Sequence, residues 1–135
     1  ALKISEKNSR IHFLENFDFE IKPQLYACSD ILIAPTFSKH ACMGVSIKEA
    51  MASGVPVIAS DSGGINEAVL DGITGYVIPI KNDKIDIKLI FKKISILLND
   101  EVIYERMSAK SISRALKLFS REAVVNKYLK IIKTK

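Results

Sequence analysis

All six glycines of the chain fall between Gly44 and Gly75, inside the stretch MGVSIKEAMASGVPVIASDSGGINEAVLDGITGYVI. Glycine is used where backbone must turn with positive φ or approach something closely, so clustering on this scale marks a set of tight strand-to-helix connections. The stretch predicts a loop opening into a helix over Gly44–Ser53 and a buried strand over Pro56–Ala59. A turn at Ser62-Gly63-Gly64, a second helix to about Leu70, a turn at Asp71-Gly72 and a strand over Tyr76–Ile78 complete it. Strand, loop and helix alternate as in a parallel α/β fold, whose ligands bind outside the carboxyl ends of the strands.

The flanks extend the same fold. Arg10–Leu14 reads as a short β-type run and Phe19–Cys28 as a short helix broken early by Pro23. Ile31–Ala34, closed by Pro35, is apolar without alternation, as a strand covered on both faces must be. From Lys84 onward the pattern is helical only: Ile87, Ile90, Phe91, Ile94, Leu97 and Leu98 form one stripe ended by Asn99-Asp100. Val102–Leu118 repeats it through Ile103, Met107, Ile112, Ala115 and Leu116, and Ser120 can cap a last helix carrying Val124, Tyr128 and Ile131 or Ile132. The expected fold class is α/β, a parallel sheet covered by helices with a helical C-terminal tail.

Composition narrows the function. An apolar fraction of 48% over 135 residues suits one packed domain. Cys28 and Cys42 have neither metal-type spacing nor the number for a disulfide framework, which points to a reduced, cytoplasmic setting. No apolar run approaches the roughly 18 residues of a membrane span. Residues 1–80 carry six Lys/Arg against nine Asp/Glu, whereas residues 81–135 carry fourteen against six. The glycine-rich region is therefore no basic patch, and the basic tail reads as solvated helix faces or as a surface for anionic lipid at the inner membrane face. It lacks the glycine-rich or aromatic-interleaved basic loops of a nucleic-acid binder. His12 sits in the apolar run, where a core histidine is expected, and no metal cluster or Ser-His-Asp spacing occurs.

On the first glycine-stretch helix, Ile47, Ala50, Met51 and Gly54 share one side, and Glu49 lies about 150–200° away at about 100° per residue. Glu49 is thus off the core face and free to meet a ligand or to remain an ordinary surface carboxylate. The helix start leaves the amides of Gly44, Val45 and Ser46 unpaired at the positive end of the dipole, which suits a diphosphate or a simple cap. Glu67, in the first turn after Gly63-Gly64, reads as a cap, as does Asp61.

EAMASGVPVIASDSGGINEAVLDGITGYVI resembles the donor-binding half of the retaining, nucleotide-sugar-dependent glycosyltransferases called group 1 or family 4, built from two Rossmann-like domains (the GT-B fold). The resemblance implies that the parallel sheet is Rossmann-like, and it implies transfer of a hexose from a nucleoside-diphosphate sugar to a carbohydrate or lipid-linked acceptor. It assigns Glu49 to the ribose hydroxyls, which leaves the amides of Gly44, Val45 and Ser46 as the diphosphate end of the donor site, with Gly63, Gly64 and Glu67 as structural or capping residues beside it. It also implies that residues 1–135 are one donor-binding domain lacking its first βα units and the acceptor domain, which a partner chain could supply. One departure concerns the sugar: the family's usual glutamate, eight residues ahead of the position of Glu49, is here Ala41, and the neighbouring His40 could reach the same space.

Two rivals share features. FLENFD, Phe13–Asp18, resembles a segment of α-glucan phosphorylases, in which Lys48 would fall near the pyridoxal phosphate; the glycosyltransferase reading uses no cofactor, with Lys39 or Lys48 as possible phosphate cations. Asp61–Glu67 resembles an element of nucleotide-sugar 2-epimerases, in a different order along the chain. A third alternative is a non-catalytic module that binds a nucleotide sugar.

Overall fold

The computed structural model describes residues 8–37 and 44–133. At its centre are three parallel strands, β1 (Leu32–Ala34), β2 (Val57–Ser60) and β3 (Gly75–Ile78), in the order β1-β2-β3. Leu32 pairs with Val57, and Val57 in turn with Gly75. Ahead of the sheet a 3₁₀ turn, Phe19–Ile21, leads into α1 (Lys22–Ala27). Helices α2 (Val45–Ala52) and α3 (Ile65–Ala68) connect the strands, and α4 (Ile87–Asn99), α5 (Glu101–Phe119) and α6 (Arg121–Lys133) follow them. This is the α/β architecture that the glycine pattern predicts, with the helical tail expected from the apolar periodicity, and it is Rossmann-like as the resemblance implies.

Strand β2 is buried at all four positions because both its faces are covered. Val57 and Ala59 pack into a cluster with Ile47, Ala50 and Met51 of α2 and Ile65 of α3, while Ile58 packs with Tyr76, Ile78, Leu97 of α4 and Met107 of α5. Polar ties hold the layers in register. The buried Ser111 hydroxyl donates to the Thr74 carbonyl at 2.6 Å, fixing α5 to the turn before β3. Arg114 donates to the carbonyls of Ala68 and Glu67, each at 2.8 Å.

Several local expectations are corrected. Arg10–Leu14 forms no strand, and His12 is exposed rather than in a core. Pro23 does not break the helix but stands in its first turn, where its missing N–H costs nothing. The second glycine-stretch helix stops at Ala68, because Val69 turns extended and the Leu70 amide bonds Thr74 Oγ1 at 2.9 Å. Ahead of α4 lies a small antiparallel hairpin, β4 (Ile80–Lys81) and β5 (Lys84–Ile85), around Asn82 and Asp83 at φ 50° and 54°. The stripe of α4 is also displaced: Leu89, Ile90, Ile94 and Leu97 meet the core, whereas Ile87, Phe91 and Leu98 are exposed. On α5, Met107 and Ala115 are buried but Leu116 is not; on α6, Val124, Tyr128, Ile131 and Ile132 are all exposed. Ser120 caps α6, its hydroxyl accepting from the Ala123 amide at 3.1 Å.

Candidate functional site

In a parallel sheet each helix that follows a strand begins at that strand's carboxyl end. The N-termini of α2 and α3 therefore both open at the same edge. Gly44, at φ 62° and ψ 112°, turns the chain into α2 and accepts the first helical bond from Lys48 N–H at 3.3 Å. Gly44 brings no capping side chain, and among the described residues no side-chain bond to this N-terminus is seen, so the leading amides, Val45 and Ser46 among them, stand at the positive end of the helix. The Ser46 side of α2 borders a cavity of about 240 Å³ that Phe17, Lys22 and Tyr26 also line.

Glu49 lies off the core face, as its position on α2 predicts, with Ile47, Ala50 and Met51 buried beneath it. It is not free, however. Lys22 Nζ stands 2.9 Å from Oε1 and 2.8 Å from Oε2, and Tyr26 Oη donates to Oε2 at 3.1 Å. Burial, followed by the bond to Glu49 and the charge of that carboxylate, raises the Tyr26 pKa above the ordinary phenol value, so the phenol stays a proton donor. Lys22 and Tyr26 escaped the sequence reading. They lie 27 and 23 residues from Glu49, and the one local hint is their i, i+4 spacing, which puts both on one face of α1.

The remaining expected residues are dispersed. Lys48 projects away from Glu49, its ammonium 5.3 Å from the centre of the Phe119 ring. With Glu67, Lys117, Lys127 and Tyr128 it borders a second, larger cavity of about 680 Å³ beside α6. Gly64 starts α3 without a side-chain cap, Gly63 has φ 55°, and Glu67 sits in the first turn. Asp61 does not cap α3: its carboxylate accepts from the Asn66 side chain. Lys39, His40, Ala41 and Cys42 lie outside the described residues. Among the described residues no group of His, Cys, Asp and Glu gathers to hold a metal ion, and no helix is long and apolar enough to cross a membrane.

The family model for glycosyl transferases group 1 matches residues 1–100. The chain belongs to the group 1 glycosyltransferases. A D-inositol 3-phosphate glycosyltransferase of Nocardia farcinica is 40% identical over 77 residues, 57% of this chain and 16% of that protein. Among solved structures, a sucrose-phosphate synthase from Thermosynechococcus elongatus superposes with a TM-score of 0.81 at 24% identity, over 98% of this chain and 33% of that one. An Anabaena protein in complex with UDP and glucose superposes with a TM-score of 0.75 at 21% identity, over 99% of this chain and 35% of that one. These likenesses show the fold, which is that of the C-terminal domain of GT-B glycosyltransferases. This group 1 chain thus spans between 16% and 35% of the length of the proteins it matches here.

Proposed function

We propose that the chain binds the nucleoside-diphosphate-sugar donor of a retaining, family 4 hexosyltransferase. The observation that carries this reading is the start of α2 behind Gly44, an N-cap residue without a side chain of its own, at the carboxyl edge of the sheet, with Glu49 one turn further along the same helix. A diphosphate matches the amides of Gly44, Val45 and Ser46 in charge and geometry, and the Glu49 carboxylate matches the ribose hydroxyls. In transfer the bond between the anomeric carbon and the diphosphate breaks and an acceptor oxygen bonds to that carbon, while the negative charge that grows on the leaving oxygen is met by the leading amides and the helix dipole. His40 is proposed to face the sugar in place of the carboxylate absent at Ala41. Gly63, Gly64 and Glu67 shape the neighbouring connection.

The UDP and glucose in the Anabaena neighbour support a nucleotide-sugar donor. In this reading residues 1–135 are a single donor-binding domain, and the acceptor half, for a carbohydrate or lipid-linked acceptor, comes from sequence or a partner chain beyond them. The protein then works in the cytoplasm, peripheral at the inner membrane surface where its acceptor is lipid-linked, and without a cofactor. Calorimetric titration with uridine, guanosine and adenosine diphosphates tests the donor site, and NMR of the product anomer, with the acceptor half supplied, tests retention. Failure to bind any of the three overturns the proposal. Binding without turnover once the acceptor half is supplied points to a non-catalytic module, and a borohydride-fixed pyridoxal adduct on Lys48 points to a phosphorylase.

A further inference from the structure

We infer that Lys22 and Tyr26 are positioning residues of the donor site, holding the Glu49 carboxylate in place for the ribose and cancelling its charge beside the diphosphate. The inference rests on the function proposed above and adds two residues from a different helix. A carboxylate offers about four acceptor positions. Lys22 reaches both oxygens, at 2.9 and 2.8 Å, and Tyr26 takes a further position on Oε2 at 3.1 Å. The plane of the carboxylate is thereby set, and Oε1 keeps room for one more donor.

Both supports are themselves held. The Lys22 ammonium lies 5.0 Å from the centre of the Phe19 ring, in a 3₁₀ turn whose Asp18 side chain accepts from the Glu20 amide at 3.0 Å. The Tyr26 ring packs against the core cluster beneath α2. A pair with side-chain exposures of 22% and 35% contributes little to stability, so its geometry needs another reason. Charge supplies one. Glu49 is four residues beyond Val45, about 6 Å along the helix axis. Unpaired, its charge would oppose a diphosphate seated on the α2 amides; paired, the cluster is neutral. Lys22, Tyr26 and Ser46 line one cavity, so the supports and the phosphate end of α2 share a single space.

The test takes the tightest of the three nucleoside diphosphates and compares it with the parent nucleoside and the 2′-deoxy diphosphate, by calorimetry, for the wild-type protein and for Lys22→Met, Lys22→Arg and Tyr26→Phe. Lys22→Met is expected to weaken the diphosphate about tenfold or more but the nucleoside only two- to threefold, and Lys22→Arg to restore most of the loss. Tyr26→Phe is expected to shrink the preference for the ribose over the deoxyribose diphosphate severalfold. A merely structural pair would move melting temperature and leave these ratios alone. Unchanged ratios in a protein that binds the diphosphate overturn this inference and leave the proposed function standing. A wild-type protein that binds none of the diphosphates overturns the proposed function and this inference with it.

Discussion

Gly44 combines a left-handed φ of 62° with a tight approach, since a Cβ at this position would stand 3.0 Å from Ile47 Cδ1. The positive φ costs a non-glycine residue about 1–3 kcal/mol. The Ile47 methyl is the far end of a side chain and can shift, so Gly44→Ala is expected to fold with a melting temperature several degrees lower, and to lose donor affinity as the amides rotate. Calorimetric melting and titration measure the two effects. Glu49→Gln keeps the shape of the side chain and removes its charge. A hydrogen bond to a charged group contributes about 1.5–3 kcal/mol, so the preference for a ribose over a 2′-deoxyribose diphosphate should shrink by about tenfold or more. The melting temperature should scarcely move, because the pair with Lys22 is partly solvated. An unaltered preference for the ribose in the titration would remove Glu49 from the site.

At the scale of elements, β2 and β3 meet so closely that Gly75 admits no side chain. A Cβ there would lie 2.3 Å from the Val57 carbonyl oxygen and 2.9 Å from Val69 Cγ1. The first of these is backbone of the paired strand, which cannot give way without breaking the Val57–Gly75 register. Gly75→Ala is therefore expected to cost more than about 3 kcal/mol, in the range of severe overpacking, read as a collapse of soluble yield or of the thermal transition. The glycine spacing made these connections legible in the sequence, together with the α/β class and the position of Glu49 off the core face. Other elements were hidden for definable reasons. RIHFL has strand-like residues, but a strand exists only with a neighbour to bond, and none of the described strands pairs with it. The β4–β5 hairpin did leave a signal: Asn82-Asp83 suits a two-residue turn with both φ positive, but strands of two residues are too short to show alternation beside the helical spacing that follows. Periodicity on α4 and α6 revealed apolar faces without revealing which of them would be covered. The contact of Lys22 and Tyr26 with Glu49 depends on how α1 docks beside α2, which no local pattern encodes.

Across the whole molecule, three tyrosines in different layers share one electrostatic state. Tyr26 on α1, Tyr76 on β3 and Tyr104 on α5 all have pKa values raised above the ordinary phenol value, in each case chiefly by burial. Acidic neighbours add to this: Glu49 for Tyr26, Asp71 for Tyr76 and Asp30 for Tyr104. A raised folded-state pKa means that the unfolded chain releases its phenol protons first as pH rises. The folded state then binds more protons than the unfolded one, and stability falls with rising pH. The stabilising share is fully present below the unfolded value of about 10 and is lost as pH climbs through the folded values. The melting temperature is expected to drop above about pH 10 for this reason. A Tyr76→Phe/Tyr104→Phe double variant removes two of the three titrations while leaving every lysine and the Glu49 cluster in place. Its alkaline slope should be shallower than that of the wild type in melts between pH 8 and about 11. Parallel slopes would show that these two phenols do not govern how the fold responds to base.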